Sequence, residues 1–325
     1  MKRIYKKFFC SLALWRSKMC KKRYCYLLLV VLLCFVLIFS SACDSDSDSG
    51  KAEPVNFEDP AFFDLLKKKL GKDKIYPEDL VKYDEIAILG DGHLYLGSSD
   101  DEEYISLIWY YGKDSFEYDD VLYENVPDGT IKSLEDLKYF PSLCSIDIAF
   151  HPGIDFNTIP EEVCKKTIYL SIYACNLQNI AFLEKYENLK SVSLKYNNIK
   201  DLSPLKDLEN VYLLVFDYNE VEDLTPVSFM SGLEMIGGDG NKISDLTPLS
   251  AMYKLEMVEF NDNLIQDISP LKELKNVYAF ELANNQIKDV SPLKDFTDIA
   301  VLDLSGNPIT NIEVLSHITN LWYVP

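Results

Sequence analysis

A repeating unit of 22 residues fills the second half of this 325-residue chain and limits its fold more than any other feature. Positions 1, 4, 6, 11, 14, 17 and 20 of the unit are apolar or aromatic in 47 of 49 cases. The chain is 48% hydrophobic, so chance would fill only about half of them. Such a short unit cannot bury seven apolar residues alone, so the units must stack into a solenoid. The seven complete units open at Thr167, Leu189, Val211, Leu233, Leu255, Val277 and Ile299.

Each unit reads L-x-x-L-x-L-x-x-N, the strand half of a leucine-rich repeat. At position 9 the chain must turn sharply out of its strand, and a buried turn leaves backbone groups without partners. A carboxamide carries donors and an acceptor, so we expect stacked asparagines to form a ladder. Cys175 takes this position in the first regular unit, and we expect a structural role for it. Six units carry the asparagine: Asn197, Asn219, Asn241, Asn263, Asn285 and Asn307.

A serine or threonine followed by proline recurs after the strand half of the unit. This order is typical of a helix N-cap with proline at the first helical position. It predicts short 3₁₀ or helical turns on the convex side. The predicted fold class is α/β, a leucine-rich repeat solenoid with a curved parallel sheet. The pairs are Ser203-Pro204, Thr225-Pro226, Thr247-Pro248, Ser269-Pro270 and Ser291-Pro292.

The units containing DLSPL, DLTPV, DLTPL, DISPL and DVSPL resemble the repeats of internalins and of the leucine-rich regulatory subunit of a eukaryotic protein phosphatase. The resemblance covers residues 167–325, the regular repeats. It implies a bacterial internalin-like protein. Repeats of this class bind many unrelated partners, so the resemblance names no ligand.

Residues 54–83 open with a helical pattern, in which Asp59 and Pro60 fit a cap and a first position and Gly71 fits the end. This segment resembles the helical N-terminal cap of internalin-like proteins. Residues 84–166 are predicted as irregular repeats with an insert. Within them, Trp109, Tyr110 and Tyr111 fit either an exposed aromatic contact site or burial within the cap.

Residues 1–43 indicate export across a bacterial membrane. Residues 1–23 hold nine basic residues and no acidic ones, and an apolar run follows. This order keeps the N-terminus in the cytoplasm and sends the rest of the chain outside. The sequence SSAC resembles a lipoprotein signal with Cys43 as the lipidated residue, although Ser40 stands where a leucine is usual. An uncleaved signal anchor is the alternative, because about 20 apolar residues span a bilayer.

Residues 44–53 are predicted to form a disordered, acidic, serine-rich tether. The protein is therefore expected at the extracytoplasmic face of a bacterial cell membrane, the cell surface. Translation starts at Met1 or at Met19, which would give a signal of more ordinary length. Attachment through a lipid or through a signal anchor leads to the same location.

Charge and composition exclude several functions. After the leader, 23 lysines and no arginine face 52 acidic residues, so nucleic acid is not expected as a partner. The acidic balance favours either a solvated exterior or a basic partner. The histidines His93, His151 and His317 lie far apart in the sequence, so no metal, cofactor or catalytic site is predicted and the protein is not expected to be an enzyme.

Three cysteines follow the leader, namely Cys144, Cys164 and Cys175. Their odd number and spacing define no disulfide framework. Burial as small apolar side chains is favoured over one bridge among them.

Positions 3, 5, 7 and 8 of each unit have no core duty and should face solvent from the concave side of the sheet. Tyrosine and methionine framed by charge are typical of protein interfaces. Alternatively, the apolar residues at position 3 simply pack beside the strands. The predicted ligand contacts are Tyr169, Tyr173, Tyr196, Leu213, Tyr218, Met235, Met257, Glu259 and Glu281.

The leading hypothesis is a membrane-tethered protein that binds a protein or peptide ligand through its concave face, for adhesion or ligand capture. The alternative is an envelope scaffold without an external ligand. An eighth unit begins at Leu321 and stops after one strand. An uncovered coil exposes a strand edge, which predicts weak end-to-end homodimerisation.

Overall fold

The protein is described by a computed structural model over residues 53–98, 109–111, 113–118, 121–319 and 321–322. Its strands, numbered in chain order, are β1 (Glu85–Leu89), β2 (His93–Gly97), β3 (Trp109–Tyr111), β4 (Ser115–Tyr118), β5 (Val121–Tyr123), β6 (Ser145–Ala149), β7 (Tyr169–Tyr173), β8 (Ser191–Ser193), β9 (Leu213–Val215), β10 (Met235–Gly237), β11 (Met257–Glu259), β12 (Ala279–Glu281), β13 (Val301–Asp303) and β14 (Leu321–Trp322).

Eleven of these strands form one sheet in the order β14 to β6, then β1 and β2. Every neighbouring pair is parallel except β1 and β2, which form an antiparallel hairpin. From Leu189 to Ile299 the partners across the sheet are one repeat apart, as Leu213, Met235 and Met257 show. Identical repeat positions therefore lie side by side, and the predicted leucine-rich repeat fold is confirmed.

Short 3₁₀ helices connect successive strands on the side opposite the concave face. They span Glu135–Tyr139, Phe156–Thr158, Ala181–Lys185, Ser203–Leu205, Thr225–Phe229, Thr247–Leu249, Ser269–Glu273, Ser291–Leu293 and Ile312–Leu315.

The caps of these 3₁₀ helices differ from the prediction that a hydroxyl residue supplies them. Ser203 is already the first residue of its helix, and the Oδ1 atom of Asp201 accepts from its backbone N–H at 2.8 Å. A carboxylate is a stronger acceptor than a hydroxyl and suits the positive end of a helix, so it takes the capping role. The same bond, 2.7 to 2.8 Å long, is made by Asp223, Asp245, Asp267 and Asp289.

The two exceptions to the apolar pattern have local explanations. Thr167 is buried, and its hydroxyl donates to the carbonyl oxygen of Val163 at 2.8 Å. A Cβ atom at Gly238 would lie 2.7 Å from the ring of Phe260 and 2.8 Å from that of Phe216. Glycine is therefore needed where two large rings already fill the core.

The asparagines at position 9 connect neighbouring coils. The Oδ1 atom of Asn241 accepts from the N–H of Val221 in the preceding coil at 2.9 Å. Its Nδ2 atom donates to the carbonyl oxygens of Phe216 and Gly238, both at 3.1 Å. One side chain thus satisfies backbone groups of two coils that water cannot reach.

Cys175 and His151 occupy the equivalent position in the coils nearer the N-terminus. The backbone N–H of Cys175 donates to Oδ1 of Asn197 at 3.0 Å, so the first asparagine reaches back to it. His151 is almost fully buried, and burial lowers its pKa to about 4. Cys144, Cys164 and Cys175 are buried free thiols.

The N-terminal cap contains the helices α1 (Pro60–Leu70) and α2 (Pro77–Leu80); a third, α3 (Glu161–Lys166), lies between β6 and β7. The predicted helical cap is confirmed. Asp59 accepts from the N–H of Phe62 through Oδ1 and from the N–H of Lys132 through Oδ2, at 3.1 and 2.8 Å. Buried Asp136 accepts from the N–H of Asp59 in return, at 2.8 Å. These carboxylates tie α1 to the first coils.

Several predictions lie outside the described residues. These are the leader 1–43 with its lipidation site Cys43, the choice between Met1 and Met19, and residues 44–52 of the tether. Among the helices of the described part, none is both long and apolar enough to span a bilayer. Weak homodimerisation stays a prediction.

We expect Asn241→Ala to lower the free energy of unfolding by about 2 kcal/mol, because it leaves the buried N–H of Val221 without its acceptor. It also removes one of the two carboxamide donors to the carbonyls of Phe216 and Gly238, which keep their bonds from Asn219 and Asn263. Asn276→Ala is the matched control, because Asn276 is exposed and donates one bond, of 2.7 Å, to the carbonyl of Tyr253. It should cost less than about 1 kcal/mol. Urea denaturation measures both values, and equal losses would contradict a buried ladder.

Candidate functional site

The concave face, here the side of the main sheet that carries positions 3, 5, 7 and 8, divides into a covered and an open part. The antiparallel strands β3, β4 and β5 form a separate sheet, the insert sheet. It packs on the concave side of β1, β6 and β7, where it buries Ala87, Leu89, Ala149, Phe150 and Tyr173. The open part begins at β8.

Tyr173 lies within the covered part. The ring of Tyr110 from β3 stacks on it with 4.2 Å between centroids and 16° between planes. Tyr173 is only 1% exposed. A direct ligand contact for Tyr173 does not fit this burial, because the protein's own chain occupies the place of a ligand. Tyr169, at position 3 of the same strand, is half-buried.

Tyr196 and Tyr218 are the aromatic residues of the open part. Their rings stack on each other with centroids 4.4 Å apart, and Tyr218 is 44% exposed. Both backbones are in the left-handed region, with φ of 56° and 54°. That conformation costs a residue with a side chain about 1 to 2 kcal/mol, so tyrosine is not placed here for backbone stability.

The left-handed turn at position 8 is a property of every coil. Sequence reasoning missed it, although the frequent Gly, Asn and Asp at this position are a usable signal. The residues with positive φ at this position are Gly90, Phe150, Ala174, Tyr196, Tyr218, Gly240, Asp262, Asn284 and Gly306. At Gly240 a Cβ atom would lie 2.6 Å from the ring of Tyr218, so glycine leaves room for that ring.

The apolar residues predicted at position 3 are mostly closed to solvent. Leu213, Met235, Met257 and Ala279 pack against one another across β9 to β12 and are between 1% and 9% exposed. The structure thus places them as the floor of the concave face, which agrees with the alternative that they pack beside the strands. Only a small part of these apolar side chains is accessible to solvent.

Carboxylates border this floor. Glu259, Glu281 and Asp303 are paired in register on β11, β12 and β13. Like charges directly opposite one another in a sheet are destabilising. Over coils 189–319, the concave positions hold these three, Asp217, Asp239 and Asp262, and a single cation, Lys195. The Nζ atom of Lys195 lies 2.8 Å from a carboxylate oxygen of Asp217, so these two form an ion pair. At the concave positions of these coils, carboxylates outnumber cations by six to one.

The crowding of these carboxylates changes their proton affinity. Burial, and then the Asp217 carboxylate, raise the pKa of Asp239 to about 7. Burial, and then Glu281, raise the pKa of Glu259 well above its ordinary value of 4.5. The ionised forms are therefore disfavoured in the free protein.

Part of this polar row has a structural role that sequence reasoning missed. At position 7, Asp217 Oδ1 accepts from the N–H of Asp239 at 3.2 Å, and Asp239 Oδ1 accepts from that of Asn261 at 2.7 Å. Asn261 Oδ1 accepts from the N–H of Ala283 at 2.8 Å. This second ladder explains Asp217 and Asp239, but Glu259 is not part of it. Within the described residues, no group of three or more His, Cys, Asp or Glu side chains is placed to hold a metal ion.

Comparison with known proteins supports the fold. A family model of leucine-rich repeats (two copies) matches residues 280–317. An internalin (inlF) from Listeria monocytogenes has a TM-score of 0.55 and 19% identity, over 86% of this chain and 95% of that one. An internalin C2 (inlC2) from the same species has a TM-score of 0.53 and 22% identity, over 86% and 99%.

A leucine-rich repeat protein from Leptospira interrogans gives a TM-score of 0.54 and 18% identity, over 62% of this chain and 54% of that one. The comparison with curated proteins gives no sequence match. The chain thus has a leucine-rich repeat fold that is similar to the fold of Listeria internalins.

We expect Glu259→Gln to raise the melting temperature at pH 8 and to leave it unchanged at pH 4. The folded pKa of Glu259 lies above its unfolded value, so folding favours the neutral side chain. The stability of the folded protein is therefore full below pH 4.5 and falls as the pH rises through the folded pKa, where Glu259 becomes charged. Glutamine stays neutral at pH 8 and avoids this loss. Exposed Glu222→Gln is the matched control and should change little at either pH. Calorimetry measures both, and no gain at pH 8 would show that the carboxylates do not repel one another.

Proposed function

We propose that this protein is a surface-tethered binding protein that captures a basic protein or peptide on the open part of its concave face. The observation that carries the proposal is the row of carboxylates beside the stacked pair Tyr196 and Tyr218. Across the described coils 189–319, Lys195 is the only cation at the concave positions. The leucine-rich repeat fold itself is typical of non-enzymatic binding proteins.

The tyrosines suit a protein ligand. Tyrosine is enriched among the residues that dominate binding energy, because it presents a large, rigid and partly polar surface. Tyr218 is 44% exposed, so part of its side chain is accessible to a ligand.

The carboxylates suit a basic ligand. A cation placed beside Asp239 and Glu259 would offset the cost of their burial and would favour their ionised forms. Since the pKa of Asp239 is about 7, a bound cation would displace protons near neutral pH. Binding is therefore expected to weaken as the pH falls below 7 and as salt is added.

The adhesion or capture role requires attachment outside the cell. The apolar run that ends at Cys43 supports a lipid anchor, with a signal anchor as the alternative. Metabolic labelling with an alkyne fatty acid tests it: the wild type should be labelled and Cys43→Ser should not. Equal labelling of both would exclude lipidation at this cysteine, and an unlabelled wild type that stays in the membrane fraction would favour the signal anchor.

We expect a twelve-residue peptide of alternating lysine and leucine to bind at pH 8, and its glutamate–leucine counterpart not to bind. Tyr196→Ala combined with Tyr218→Ala should weaken binding at least tenfold, because residues of this kind contribute about 2 kcal/mol or more. Met257→Ala should have a smaller effect, since Met257 is 9% exposed.

Tyr253→Ala is the matched control, because Tyr253 is an exposed tyrosine outside the concave positions. Isothermal titration calorimetry at pH 8 and pH 6 gives the affinities and the protons released. Undiminished binding by the double variant would exclude the concave tyrosines as the contact surface. Equal affinity at both pH values would show that the carboxylates do not attract the peptide.

A further inference from the structure

The insert sheet is more than a loop between two coils. Its Phe116 is fully buried, stacks on Tyr123 at 4.7 Å and lies 6.3 Å from the ring of Phe150 on the main sheet. The N–H of Gly129, just after the insert, donates to the carbonyl of Phe150 at 2.7 Å. The concave side of the first coils has therefore become a second hydrophobic core.

The backbone of the first coil is adapted to this arrangement. At Gly90, the left-handed position of the first strand, a Cβ atom would lie 2.4 Å from the carbonyl oxygen of Pro127. The N–H of Asp91 donates to the same oxygen at 3.1 Å. The segment that leaves the insert thus sits directly on the turn where later coils carry Tyr196 and Tyr218.

A continuous series of rings leads from the insert to the open face. Tyr110 stacks on Tyr173 at 4.2 Å, Tyr173 lies 5.1 Å from Tyr196, and Tyr196 stacks on Tyr218 at 4.4 Å. Beyond Tyr218 the series ends against the backbone of Gly240. Each ring is held between its neighbours rather than by the core beneath the sheet.

Tyr110 is the anchored end of this series. Its hydroxyl is buried, and burial together with Asp147 holds its pKa well above the ordinary value. By contrast, Tyr196 and Tyr218 leave the chain at a left-handed turn. Tyr196 packs against the second core through Tyr173, and Tyr218 stacks on Tyr196. Packing against Tyr173 is the contact that can orient Tyr196, and through it Tyr218.

We infer that the insert sheet positions the ligand site: Tyr110, through Tyr173, sets the orientation of Tyr196 and Tyr218, and the insert fixes the end of the ligand footprint at β8. Tyr110 acts as a positioning residue that touches no ligand. The part of this inference that concerns affinity rests on the proposed function, whereas the part that concerns ring orientation does not.

The test replaces Tyr110 in the full chain by Ala, Leu and Phe. Leu keeps an apolar side chain between the insert sheet and the main sheet but removes the ring. Phe keeps the ring but removes the hydroxyl. Ring signals of Tyr196 and Tyr218 are followed by NMR with ¹³C-labelled tyrosine in the free protein, assigned with Tyr196→Phe and Tyr218→Phe. Binding of the alternating lysine–leucine peptide is measured in parallel.

We expect both ring signals to shift in Tyr110→Ala and Tyr110→Leu, with affinity for the peptide reduced about three- to tenfold, the worth of one aromatic pair. Tyr110→Phe, and Tyr253→Ala as a control for loss of a tyrosine, should leave signals and affinity unchanged. An unfolded Tyr110→Ala variant leaves the test to Tyr110→Leu.

Unchanged Tyr196 and Tyr218 signals in a folded Tyr110→Leu variant would overturn the positioning role. Shifted signals with unchanged peptide affinity would show that orientation is relayed but does not serve binding, which overturns the affinity part. If the wild type fails to bind the peptide, the proposed function fails, while the NMR comparison still decides whether Tyr110 orients the two rings.

Discussion

In-register stacking of coils of equal length is the constraint on which the whole structure depends. Because parallel partners are 22 residues apart, each repeat position lies beside its own copy in the next coil. A residue type that recurs in the sequence thereby becomes a column in space. The apolar core and the asparagine ladder are columns of this kind, and each satisfies backbone or apolar groups that a single coil leaves exposed. The aspartate caps also form a column, although each bonds within its own coil.

In-register stacking also lowers stability at some positions of the concave face. A carboxylate that recurs at position 5 must lie beside another, as Glu259, Glu281 and Asp303 do. A tyrosine at position 8 must adopt a left-handed backbone, as Tyr196 and Tyr218 do. The hydrophobic core beneath the sheet contains none of these five residues. The carboxylates at position 5 and the tyrosines at position 8 are less stable choices than other residues would be. Their presence is the structural argument for a binding face.

The insert shows how one break in the periodicity changes the use of a surface. Over β9 to β13 the concave side is a floor of packed apolar residues with a polar border. Over β1, β6 and β7 the equivalent positions hold Ala87, Leu89, Ala149 and Tyr173, which are buried beneath the insert sheet. One face of one sheet thus serves as a core at its N-terminal end and as an accessible surface beyond it.

The 22-residue period and its apolar positions determined the solenoid and the places of the asparagines, because these depend on contacts between identical positions of adjacent units. The helical cap was predicted from its own local signals, Asp59 with Pro60 at the start and Gly71 at the end. Tertiary structure alone decided that Tyr173 is covered while Tyr218 is exposed, and that Asp217 and Asp239 bond to the next coil. Contact between Tyr110 and Tyr173 joins residues 63 positions apart through an irregular segment. No periodic signal encodes how such a segment folds back, so its effect on the site could be seen only in three dimensions.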